Sequence, residues 1–129
     1  VGTRFIASEE AHAGQIYKEA VLATGDDGTV RTRCYSGKPM RVMDNPYVKD
    51  WEARPADIQP FPFQAMHSVQ TGVIGGIGGQ TEGLDASKSC LAMGQSAGGV
   101  RDVRPAGDIV RSFVAEAEAA LNRARALVG

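Results

Sequence analysis

The stretch Val1-Gly2-Thr3-Arg4-Phe5-Ile6-Ala7-Ser8-Glu9-Glu10-Ala11 decides how the rest of the chain is read. Phe5 and Ile6 continue an apolar run, which predicts the end of a short buried strand over residues 1–6. Ser8 followed by two acids is a helix-start signal, because the hydroxyl can accept a first-turn amide and the acids sit at the positive end of the helix dipole. Gly2 and Thr3 then stand where a strand feeds a helix. There a glycine lets the backbone come close to a phosphate, and the threonine amide and hydroxyl can donate to it. Gly-Thr pairs also occur in plain turns, and on these two residues alone the turn is the stronger reading.

Downstream, Ala13, Ile16, Tyr17, Ala20, Val21 and Thr24 recur at three- and four-residue steps, predicting a one-sided helix that closes at Gly25. Asp26-Asp27-Gly28 turns the chain into residues 29–35, where Val30, Thr32 and Cys34 alternate with Arg31 and Arg33 as in a half-buried strand. Residues 41–52 suggest a short helix interrupted near Asn45-Pro46. Pro55, Pro60 and Pro62 predict an extended wrapping segment that Phe61 and Phe63 pin down. Glycines 72, 75, 76, 78, 79 and 83 predict a loop. From Pro105 on, Ile109, Val110, Phe113, Val114, Ala117, Leu121, Ala124 and Val128 form a stripe opposite charged residues, predicting a long amphipathic helix over 103–128. No internal repeat and no boundary between two self-sufficient domains is visible.

The 129 residues suit one domain, and 43% hydrophobic with 22% charged residues is the balance of a folded, water-exposed protein. A net charge of -1 gives no basic field for nucleic acid, and the apolar runs are too short and broken to span a membrane. Eight aromatics and sixteen glycines describe a thin core. Cys34 and Cys90 stand apart, without metal-ligand or disulfide-framework spacing, which points to a reducing, cytoplasmic setting and no metal site. Because Val1 precedes Gly-Thr-Arg-Phe directly, with no leader pattern, the start reads as truncated or processed.

Few residues offer chemistry on their own. Gly75-Gly76-Ile77-Gly78-Gly79 lacks the third glycine of a dinucleotide loop, where Thr81 stands, and residues 83–89 lack the glycine before Lys88 that a phosphate loop needs. His12 and His67 have no partner at a triad-like spacing and read as surface histidines. Cys34 and Cys90 read as small hydrophobes, with Cys90 keeping a chance of reactivity in a loop. Arg31, Arg33 and Arg41 read as a solvated face.

Four ordered motifs resemble the nitronate monooxygenase family, also called 2-nitropropane dioxygenases. They are the opening Val1–Ala11 segment, Thr32-Arg33-Cys34-Tyr35-Ser36-Gly37-Lys38-Pro39, Phe61-Pro62-Phe63-Gln64 and Gly94-Gln95-Ser96-Ala97-Gly98. The resemblance implies an α/β fold: the C-terminal portion of an FMN-dependent (β/α)₈ barrel with a mostly helical and irregular elaboration. Residues 1–25 would supply the last barrel strand and its helix, and residues 26–129 the elaboration. It also implies that Gly2 and Thr3 contact the FMN phosphate and that Gln95 lies near the flavin ring. Neither His12 nor His67 falls at the family's histidine motif, so no catalytic residue is carried over.

The expected function is oxidation of alkyl nitronates by dioxygen. It has a small-molecule substrate and an upstream barrel segment of the same protein as partners. A barrel needs roughly 250 residues, so the chain alone is expected to be unstable and colourless. Two alternatives stand beside this reading: a flavin-dependent NAD(P)H reductase of an enoyl thioester or quinone, and a non-catalytic module that presents the C-terminal stripe to a partner.

Overall fold

The opening segment folds as a helix, not a strand. In the computed structural model, which describes residues 1–75 and 79–128, α1 spans Gly2–Ile6. A strand needs a neighbour to take its amides. Among the described residues the one sheet is the two-stranded pair farther along the chain, and from Arg4 on the segment's amides turn to its own carbonyls, Arg4 to Val1 at 3.0 Å. Ser8 closes this helix instead of opening the next: its hydroxyl and its amide both donate to the Phe5 carbonyl, at 2.8 and 3.2 Å. The second helix, α2 (Gln15–Ala23), therefore starts at Gly14. There a Cβ would meet the Thr81 carbonyl at 2.3 Å, which excludes every larger residue. Tyr17, Ala20 and Val21 are its buried face. Its end is made by Thr24, whose hydroxyl donates to the Ala20 carbonyl at 2.6 Å.

The expected strand over 29–35 is shorter, because the Thr32 hydroxyl accepts the Cys34 amide at 3.0 Å and turns the chain inward. β1 (Thr29–Thr32) pairs antiparallel with β2 (Met40–Met43), with Val30 opposite Val42 and Arg31 opposite Arg41. β2 replaces the first half of the helix expected over 41–52. Asn45-Pro46 starts a helix here instead of interrupting one. α3 (Pro46–Glu52) has proline at its first position, where the missing amide is harmless, and the Asn45 side chain accepts the Val48 amide at 3.0 Å.

After a short 3₁₀ turn at Pro55–Asp57 comes α4 (Phe63–Gln70), a helix the proline-rich pattern concealed. Phe61 and Phe63, expected to pin this stretch, are exposed; Ile58 and Gln64 are buried in their place. Of the expected glycine loop, residues 76–78 lie outside the described residues. A second 3₁₀ turn, Gln95–Gly99, precedes α5 (Ala106–Val128), which begins right after Pro105. Within its stripe Ile109 is fully enclosed, whereas Val110, Val114 and Leu121 are exposed.

Two apolar clusters form the interior. One joins Ala7, α2 and the stretch from Leu84 to Val100. The other joins Cys34, Tyr35, Val42, Val48 and Cys90. The segment 90–93 runs between them: Cys90 donates its amide to Val73 at 2.7 Å, the Leu91 carbonyl accepts the Met43 amide at 3.0 Å, and Met93 donates to Arg41 at 3.3 Å. Among the described residues no helix is long and apolar enough to cross a membrane, and no group of three or more His, Cys, Asp or Glu could hold a metal.

Candidate functional site

The first and last motifs meet. Thr3 is buried, and its Oγ1 accepts the Gly94 amide at 2.9 Å, bridging 91 positions of chain. Gly2 and Thr3 occupy the first two positions of α1, whose opening amides have no intrahelical acceptor. With its oxygen taken up by Gly94, the Thr3 hydroxyl keeps its proton for a further acceptor. Gly2 is exposed, and a Cβ there would meet nothing within 4 Å, so packing does not demand the glycine and the space before it is open.

Several contacts hold this helix in place. The Arg4 guanidinium donates to the Asp102 carboxylate at 2.6 Å and to the Asp102 and Ala7 carbonyls at 2.8 and 3.2 Å. Phe5 meets Phe113 of α5 edge to face, with centroids 6.0 Å apart. Below it, Lys18 is nearly enclosed and donates from Nζ to the Ser8 and Glu9 carbonyls at 2.6 and 3.2 Å, fixing the turn between α1 and α2. Its only sequence signal is its place beside Tyr17 on the buried face.

Clefts open on both sides of α1. One, of about 380 Å³, is walled by Gly2, Phe5, Ile6, His12, Tyr17 and Gln80. His12, read from sequence as a surface histidine, is exposed but borders this cleft. Tyr17 donates its hydroxyl to the Ala92 carbonyl, and burial pushes its pKa up to about 12, so it stays a neutral wall. The other cleft, of about 200 Å³, lies among Val1, Arg4, Ser96, Gly99 and Phe113. Gln95 is exposed one residue beyond the Thr3 contact and lines neither cleft. The structure thus gathers Gly2, Thr3 and the Gly94-Gln95 turn at one edge of the molecule.

The two middle motifs meet elsewhere, as a structural junction. Gln64 is buried between them, and Gly37, at φ 81°, lies so close to residues 59–61 that a Cβ would meet the Phe61 nitrogen at 2.4 Å. Lys38 sits 4.1 Å from the Phe61 ring centroid. Beneath, the Tyr35 hydroxyl donates towards the Lys88 and Ser89 carbonyls at 3.0 and 3.2 Å, and Asn45 donates to Ser89 at 3.1 Å. Burial raises the Cys34 thiol to about 11 and the Cys90 thiol to about 12. Cys90 is fully buried, so both cysteines are inert packing groups. His67 packs edge-on against Trp51, with centroids 5.7 Å apart.

The probable nitronate monooxygenase of Staphylococcus haemolyticus (strain JCSC1435) is 36% identical over 64 residues, half of this chain and 18% of that protein. That of Staphylococcus saprophyticus is 33% identical over a stretch of the same length, also 18% of that protein. Among solved structures, FabK from Thermotoga maritima aligns with 95% of this chain and 37% of its own, at a TM-score of 0.76 and 27% identity. Nitroalkane oxidase from Streptomyces ansochromogenes aligns with 94% of this chain and 33% of its own, at 0.69 and 26%. The chain therefore spans less than a fifth of the curated relatives it matches and about a third of the solved ones. The family model described as nitronate monooxygenase matches residues 1–116, and the chain belongs to that family.

Proposed function

We propose that this chain is the C-terminal part of an FMN-dependent oxidoreductase that oxidises alkyl nitronates with dioxygen, and that its α1 edge completes the site for the FMN phosphate. The supporting observation is the Thr3–Gly94 hydrogen bond, which sets the Gly-Thr pair and the Gly-Gln-Ser-Ala-Gly turn on one rim. The residues fit an anion: two opening helix amides, a hydroxyl proton and an open space before Gly2. In this reading the barrel is built by a further segment of the same protein, and residues 1–25 adjoin its last strand. Residues 26–129 form the elaboration that braces them.

FMN, when bound, would take electrons from the substrate and pass them to dioxygen. This chain's own share is to bind and to position. The Gly2 and Thr3 amides and the Thr3 hydroxyl would hold the phosphate, Gln95 would offer its amide towards the ring, and Arg4 would keep α1 in place through Asp102. Neither His12 nor His67 is assigned as the base.

Flavin retention in the full-length protein tests this. Thr3→Val keeps the shape and removes the hydroxyl, so FMN affinity should fall on the order of tenfold, the worth of one hydrogen bond to a charged group. Gly2→Val should weaken it further while leaving the fold intact. A purified protein without flavin, or one whose flavin affinity ignores both variants, would refute the site. Oxygen uptake with an alkyl nitronate supports the oxidase reading; oxidation of reduced nicotinamide dependent on an enoyl thioester or quinone would replace it with the reductase.

A further inference from the structure

We infer that the distal half of α5 is a self-pairing surface on which a second copy of this chain docks in antiparallel orientation. Beyond the Phe5–Phe113 contact the helix leaves the body of the molecule. Val114, Leu121 and Leu127 are 56%, 71% and 88% exposed, in a segment that continues past the end of the family match at residue 116. A lone helix in water gains little from its own hydrogen bonds, so an apolar stripe of this length calls for a partner.

The charges indicate which partner. Val114, Ala117, Leu121 and Ala124 follow one another at steps of three and four and share one face. Glu118 and Arg125, seven residues apart, border the same edge of that face, with the acids Glu116 and Glu118 before Leu121 and the bases Arg123 and Arg125 after it. Arg111 is already tied to Asp108 within its own helix, whereas among the described residues Glu118 and Arg125 are in no ion pair. A two-fold axis at Leu121 lays Ala117 over Ala124 of the partner subunit and Glu118 beside Arg125 of the partner subunit, twice. Parallel pairing instead turns this edge towards the opposite edge of the partner helix, which in each copy carries Phe113, Ala120 and Leu127, so no charge answers Glu118 or Arg125. The alanines let the backbones approach, the leucine fills the centre, and the charges select direction more than they add strength.

Sedimentation of the full-length protein tests this. It should show a concentration-dependent dimer, which Leu121→Glu weakens about tenfold or more. Glu118→Arg should weaken it, and Glu118→Arg combined with Arg125→Glu should restore it. Oxidation should cross-link Leu121→Cys to itself, but not Val114→Cys, which in this register lies about 20 Å from its own counterpart. A monomer at every soluble concentration, a dimer indifferent to Leu121→Glu, or equal cross-linking at both positions would overturn the proposal. Leu121→Cys shielded from maleimide in a monomeric protein would also overturn it, since the stripe would then lie against the rest of its own polypeptide.

Discussion

Gln64 donates from Nε2 to the carbonyl of Cys34 at 2.6 Å, a residue 30 positions earlier, while its Oε1 accepts the Gln59 amide at 3.0 Å. One buried amide thus satisfies a carbonyl at the end of the hairpin motif and an amide ahead of α4. Gln64→Leu should strand both groups and lower stability by about 2 to 4 kcal/mol. Urea unfolding followed by Trp51 fluorescence measures this; a loss below about 1 kcal/mol would mean that water replaces the side chain.

Two glycines separate backbone strain from close packing. Gly37 and Gly72 both have positive φ, at 81° and 70°. A Cβ at Gly37 meets three backbone atoms within 2.7 Å, whereas one at Gly72 meets nothing within 4 Å. Gly72→Ala should therefore lose about 1 kcal/mol, the left-handed penalty alone. Gly37→Ala should lose several times more and push residues 59–61 away, which thermal unfolding of the two variants compares directly.

Asn45 caps α3 through Val48 and donates to the Ser89 carbonyl from a buried position. Asn45→Ala removes both contacts, and about 2 to 3 kcal/mol should be lost. Asn45→Asp keeps the cap but loses the donor, so it should fall between the two in a denaturant series.

Alkali should loosen the fold through its thiols. Unfolded, each cysteine ionises near the ordinary 9.0; folded, Cys34 holds its proton to about 11 and Cys90 to about 12. Between those values the unfolded state binds fewer protons, so the thiols' contribution to stability is fully present below about 9 and falls as pH rises above it. Unfolding midpoints at about pH 8 and about pH 10 should differ, and Cys34→Ser with Cys90→Ser should reduce the difference. At the lower pH both thiols should resist alkylation until the protein unfolds.

Elements whose residues act locally were legible. The apolar rhythm around Tyr17, Ala20 and Val21 marked α2, and the stripe from Ile109 marked α5. What escaped reading depended on distant partners. β2 forms because β1 takes its amides, and the Ser8 hydroxyl turns back to Phe5 rather than forward, against every capping expectation. Pro60 and Pro62 hid a helix that starts one residue after the second proline. For the site, Gly2 and Thr3 were visible as a pair, but that Gly94 closes on Thr3 is a contact 91 positions long, and no local pattern encodes it. His12 gave no sign of bordering the same cleft.

The segment 90–93 places Cys90 in one cluster and Leu91 in the other, while its backbone bonds to Val73, Met43 and Arg41. Neither cluster can come apart without tearing this shared thread from both neighbours. Damage at the hairpin junction should thereby be relayed to the rim that carries Thr3, and the two clusters are expected to melt together.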